Sequence, residues 1–143
     1  MGASSAEFAG FEVLASTGGN LVAVRAGGAA IGQDYERLYA WLAEETERHG
    51  AVRVYEEIPG WTGPIFRSHV RYGTFADLSY GPEITISSYA VVGDSGWARL
   101  MYRLWFLIKP VWPLAPLRMR YFDWPERGRA LAWLLEDEEQ DGR

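Results

Sequence analysis

Between Tyr89 and Leu135 the chain reads as strand, turn, very apolar helix, proline-broken connector, strand, turn, helix. Tyr89-Ala-Val-Val-Gly93 has the composition of a buried strand, and Asp94-Ser95-Gly96 turns it into a helix bearing Trp97, Leu100, Met101, Leu104, Trp105 and Ile108. Arg118-Met-Arg-Tyr-Phe122 is the next strand, and Asp123-Trp-Pro125 opens a final helix. A strand–helix alternation of this kind builds a layered α/β sheet.

The upstream chain continues the pattern. Phe11–Leu14 and Leu21–Arg25 are short apolar runs joined through Gly18-Gly-Asn20, the signal of a hairpin. A helix is predicted from Asp34 to Arg48. Acidic residues sit in its first turn, Arg48, His49 and Gly50 lie at its end, and Tyr35, Leu38, Tyr39 and Leu42 recur on one face. Val52 to Ile58 is a strand stopped by Pro59-Gly60. Residues 61–80 read as a loop and a helix apolar over a broad arc, and Ile84 to Val92 as the fourth strand. The expected fold is therefore a single α/β domain. An N-terminal hairpin precedes alternating units, giving a mixed, mostly parallel sheet of about five strands with about four helices. Residues 1–8 are expected to be a flexible tail, 9–136 the domain, and 137–143 an acidic tail.

At 143 residues the chain is long enough for one core without staples. Seven Trp, eight Tyr and six Phe exceed what a core of this size needs, which points to a pocket or interface. The formal charge of −5 argues against generic nucleic-acid binding. Without cysteine, disulfides, thiolate metal sites and cysteine nucleophiles are excluded, which fits a cytoplasmic setting. The first residues lack the pattern of a signal peptide, and no apolar run is long enough to span a bilayer. Peripheral membrane association stays open.

Ala90-Val-Val-Gly93-Asp94 with Trp97 after it, and Arg120-Tyr-Phe-Asp123 before a helix ending Ala132-Trp-Leu134, resemble the SpoIIAA-like family of the STAS domain superfamily. Gln33-Asp-Tyr-Glu36 and Gly60-Trp61 extend the resemblance over most of the chain. It implies a small non-enzymatic α/β domain. Switch-type STAS domains carry a phosphorylated serine in an Asp-Ser pair after the third strand. Here that position reads Pro59-Gly-Trp-Thr-Gly63, and Asp94-Ser95 follows the fourth strand instead. The SpoIIAA-like branch is similar in shape to lipid-carrying domains, which implies binding of apolar ligands or membranes.

The helix from Trp97 to Ile108 is the main functional candidate. Its six-residue stripe is expected to face the sheet, yet Tyr102, Phe106 and Leu107 make its second half apolar almost all round. Leaving a Leu or Phe in water forgoes ~1.5–3 kcal/mol, so the surplus calls for another partner. That partner is the 61–80 helix, a lipid-like or apolar ligand, a bilayer surface or a second subunit. The proposed lining is Trp61, Phe66, Val70, Phe75, Leu100, Met101, Leu104, Trp105 and Ile108, with Arg103 and Lys109 as headgroup contacts. Gly60 and Gly63 beside Trp61 suit a lid as well as they suit an ordinary loop.

Catalytic signals are thin. His49 reads as a helix cap and His69 as a packing or surface residue. Glu56 and Glu57 point to opposite faces of a strand, and no metal cluster or cofactor motif is visible. The expectation is a non-enzymatic module without a cofactor, binding an apolar ligand or acting as a protein-interaction or homodimer module through the same surface.

Overall fold

The computed structural model describes residues 11–15, 19–26, 32–111 and 116–141. A hairpin, β1 (Phe11–Ala15) and β2 (Leu21–Ala26), opens the fold. It is followed by α1 (Gly32–His49), β3 (Val52–Ile58), α2 (Gly63–Tyr80), β4 (Ile86–Gly93), α3 (Gly96–Ile108), β5 (Arg118–Asp123) and α4 (Arg127–Asp141). Single 3₁₀ turns follow α2 and α3 and precede α4. The acidic run from Glu136 to Glu139 is thus part of α4.

The strands lie in chain order, β1-β2-β3-β4-β5. The first pair is antiparallel and the remaining three are parallel. Because each crossover steps one strand in the same direction, right-handed connections place α1, α2 and α3 on one face. Among the described helices only α4, after the last strand, returns over the other.

The two cores follow from this arrangement. The three-helix side buries Val22, Val24, Val54, Ile58, Ile86, Tyr89 and Val91 of the sheet against Tyr35, Leu38 and Leu42 of α1, Trp61, and Met101 and Trp105 of α3. The α4 side is smaller: Ala23, Tyr55, Ala90, Val92 and Phe122 meet Ala130 and Leu134. Strand β3 is buried along its whole length, as a central parallel strand covered on both faces must be. A register shift between Val52 and Arg53 inserts one extra residue into β4. It lets Ile86 and Tyr89, three apart, face the same side.

Turn chemistry locks the helices at their ends. Gly50, at φ +85°, accepts the left-handed geometry that closes α1, and its N–H donates to Thr46 O. Ser95 caps α3 by accepting the Ala98 N–H, and its own hydroxyl donates to Trp61 O. Asp94 accepts the Gly60 N–H at 2.8 Å, with Gly60 at φ +69°. The loops at the carboxyl ends of β3 and β4 are therefore tied together.

Candidate functional site

Helix α3 buries less of its apolar surface than its sequence suggests. Ala98, Met101 and Trp105 face the sheet, and Tyr102 is half-buried. The six-residue stripe is split. Met101 and Trp105 are core, whereas Trp97, Leu100, Leu104 and Ile108 remain exposed. The expectation that the whole stripe faces the sheet is corrected by rotation of the helix: its contact line runs through Ala98, a small residue that lets α3 sit close to β4. An added Cβ at Gly93 would come within 2.6 Å of the Ala98 methyl, so this close approach needs both small residues.

The outcome is a continuous apolar arc on the outer side of α3. Leu107 is 74% exposed, and Trp97, Leu100, Leu104 and Ile108 share its side of the helix, whereas Phe106, 54% exposed, lies on the far side of Arg103. Trp97 leans on the start of α2, where a Cβ at Gly63 would meet its indole at 3.2 Å. Exposed Val70 stands two helical turns beyond Gly63 on the same line of α2, as Leu104 stands two turns beyond Trp97 on α3. Helices that each return from parallel strands run in the same direction. The two lines meet where Trp97 lies against Gly63.

Cations flank this strip. Arg67 and Arg71 are exposed on α2, and Arg99 and Arg103 on α3. Arg99 donates to Asp123 at 2.6 Å. Lys109 closes the end of the helix, its Nζ 3.4 Å from Leu117 O, with exposed Leu117 beside it. Residues 61–120 hold seven basic and three acidic side chains, whereas the remaining residues hold seven and sixteen. The net charge of −5 thus conceals a basic band around an apolar one. A shallow surface depression of about 380 Å³ runs along Tyr102, Arg103, Phe106 and Leu107.

Three other residues read from the sequence as ligand lining, Trp61, Met101 and Trp105, do not share this surface. Trp61 is core, its indole N–H donating to Ala26 O at 3.4 Å and its ring 4.9 Å from His69. Met101 and Trp105 are buried beside it. The side chains of Phe66 and Phe75 lie outside the described residues. The seven whose side chains are described are divided between the interior (Trp61, Met101, Trp105) and the exterior (Val70, Leu100, Leu104, Ile108).

The interior does contain a cavity. It measures about 40 Å³, between the sheet and the three helices, room for about three water molecules and well below the ~300–1,000 Å³ of a drug-sized site. Its wall includes Tyr35, Tyr39, Leu42, Glu56, His69, Tyr89 and Trp105. The Tyr89 hydroxyl donates to the Glu56 carboxylate, and Tyr35 Oη shares a 3.0 Å hydrogen bond with His69 Nδ1. Burial holds His69 neutral, its pKa pushed down to about 3, and pushes the Tyr35 hydroxyl up. The sequence reads the tyrosines as core packing and His69 as a packing or surface residue. The signal was a tyrosine at three core positions, since a buried phenol requires a partner.

Glu56 and Glu57 do point to opposite faces. Glu57 accepts from Arg25 Nε at 2.9 Å and from the Tyr55 hydroxyl at 2.6 Å on the α4 side. Among the described residues no group of three His, Asp or Glu side chains is placed to hold a metal ion, and no helix is long and apolar enough to cross a membrane.

The SpoIIAA-like family model matches residues 21–135, from β2 to the middle of α4. The chain belongs to the SpoIIAA-like family of STAS domains. No curated protein and no solved structure gives a match. Membership points to a regulatory, protein-interaction module of a kind that is typically non-enzymatic. The five-stranded mixed sheet with four helices fits that fold.

Proposed function

We propose that this STAS-type module is non-enzymatic and works by docking the outer face of α3 on an apolar, negatively charged surface, that of an anionic lipid bilayer. The observation behind this reading is the exposed arc of Trp97, Leu100, Leu104, Leu107 and Ile108, bracketed by Arg67 and Arg71 on α2 and by Arg99 and Arg103 on α3. Apolar side chains enter the headgroup–acyl boundary, arginines meet phosphate oxygens, and an interfacial Trp sits at the level between them. The depression beside Arg103 is open, lined by Tyr102, Phe106 and Leu107, and suits the upper part of an acyl chain better than the small internal cavity does.

Co-sedimentation with vesicles tests the proposal. The protein is expected to bind vesicles containing phosphatidylglycerol, more weakly at high salt, and to leave neutral phosphatidylcholine vesicles largely free. A Leu104→Glu, Leu107→Glu double variant is expected to lose binding while keeping its melting temperature. If the wild-type protein ignores anionic vesicles and forms a concentration-dependent dimer that the same variant abolishes, the face belongs to a second copy and the bilayer reading is wrong.

A further inference from the structure

We propose that the open edge of β5 is a docking site for an extended acidic segment of a partner protein, which joins the sheet there as a further strand. The proposal stands independently of the bilayer reading. Strand β5 pairs with β4, and among the described residues no strand lies on its other side. The Leu117 N–H donates to Ile86 O, toward β4. Successive residues of a strand point their backbone groups to opposite sides. Met119 and Tyr121 therefore face β4 like Leu117, whereas Arg120 and Phe122 turn their N–H and C=O groups outward. Such a row is a template for another strand.

The side chains on the two faces of this edge say what the added strand carries. On one face α3 runs alongside β5. Its Tyr102 hydroxyl donates to Met119 O at 3.3 Å, and its Tyr102 ring lies 5.6 Å from that of Tyr121. One turn further on the same line, exposed Phe106 offers an apolar contact. On the other face the Arg120 guanidinium lies over the Phe122 ring at 4.9 Å, and that of Arg118 over Trp133 at 5.0 Å. A ring face steadies an arginine while its N–H edge stays available to a carboxylate. Residues 95–122 hold five basic side chains and no acidic one. A second copy paired through β5 would set these arginines against their own kind, which is unfavourable. Neither a bilayer nor a nucleic acid offers N–H and C=O groups at strand spacing. A segment alternating apolar and acidic residues matches the backbone row, the aromatic face and the arginine face together.

Fluorescence anisotropy of a labelled peptide alternating valine and glutamate, titrated with the full-length protein in the absence of lipid, tests this against a peptide alternating valine and lysine. The expected result is saturable binding of the glutamate peptide alone, weakened by salt. Two N-methylated forms of that peptide, one methylated at the valines and one at the glutamates, separate strand pairing from charge attraction. One of the two is expected to lose binding, because only one set of N–H groups can face β5. Bound peptide is expected to slow amide hydrogen exchange at Arg120 and Phe122 roughly tenfold or more, and to leave Met119 and Tyr121, already turned to β4, unchanged. Arg120→Glu, at an exposed position, is expected to weaken binding roughly tenfold. Equal binding of the lysine peptide, equal binding of both N-methylated forms, or undiminished binding by Arg120→Glu overturns the proposal. So does protection of Arg120 and Phe122 in the protein alone as it self-associates, which gives the edge to a second copy.

Discussion

Helices α1 and α3 pack on the same face of the same sheet, yet they treat water oppositely. In α1 the buried line of Tyr35, Leu38, Tyr39 and Leu42 accounts for the large apolar side chains apart from half-buried Trp41, and its exposed positions include Glu36, Arg37, Glu47 and Arg48. In α3 the buried line is Ala98, Met101 and Trp105, and the exposed positions include five Leu, Ile or Phe residues. The sheet has a fixed width to offer each helix. Helix α1 asks for no more than that, whereas α3 carries apolar surface that the fold leaves uncovered. A helix whose outward face is hydrophobic has a second surface to bury, and that excess is what the proposed docking face rests on.

The contrast can be broken by mutation, beginning inside. Met101→Ala and Leu38→Ala each remove a buried side chain from the shared core and are expected to cost about 2–5 kcal/mol in chemical denaturation. If Met101→Ala costs far less than Leu38→Ala, α3 is only loosely seated and the comparison weakens. Gly93→Ala is next, at about 1–3 kcal/mol. Its new methyl would face the Ala98 methyl and, at 2.9 Å, the Tyr121 hydroxyl. That buried hydroxyl has no hydrogen-bond partner among the described residues and gains none from the substitution.

Acid gives a smaller effect per step. His69 has a folded pKa of about 3, below its ordinary value near 6.5, so between those two values the unfolded chain binds more protons than the folded one. Stability is fully present above that window. It falls with decreasing pH through it, by at most ~1.4 kcal/mol per unit from this group. Measured as the difference between wild type and His69→Gln, the slope should shrink in the variant between pH 6.5 and 3.5. An unchanged slope means that His69 is not held neutral in the folded protein.

The smallest expected change in stability is on the outer side. Leu107→Ser should alter the unfolding free energy by no more than about 0.5 kcal/mol, because that side chain is already in water. A cost comparable to that of Met101→Ala would show that the outer face of α3 is covered by another copy under the conditions of measurement.

The architecture was legible because its signals are local. Alternating apolar runs, Gly50 and Pro59-Gly60 as punctuation, the acidic first turn at Asp34 and the turn at Asp94-Ser95-Gly96 each act within a few residues. The order of elements then leaves little topological freedom. The rotation of α3 was not legible. Trp97, Leu100, Met101, Leu104, Trp105 and Ile108 form a convincing stripe by spacing, and the contact line moved because Gly93 and Ala98, on different elements, allow close approach there. The shared orientation of Ile86 and Tyr89 was hidden in the same way, since the extra residue in β4 breaks the alternation by which a strand is read. The glycines flanking Trp61 suit a lid and an ordinary loop equally, and the residue reads from the sequence as ligand lining. Its burial depends on Ala26 and His69, partners distant in sequence.

The bonds from Gly60 to Asp94 and from Ser95 to Trp61 join the feet of α2 and α3, and the indole of Trp97 wedges against Gly63 just above them. Two neighbouring rods riveted at one end behave as a plate. Displacing either rod at this end would strain bonds to the other, so the spacing of the two is fixed where they leave β3 and β4.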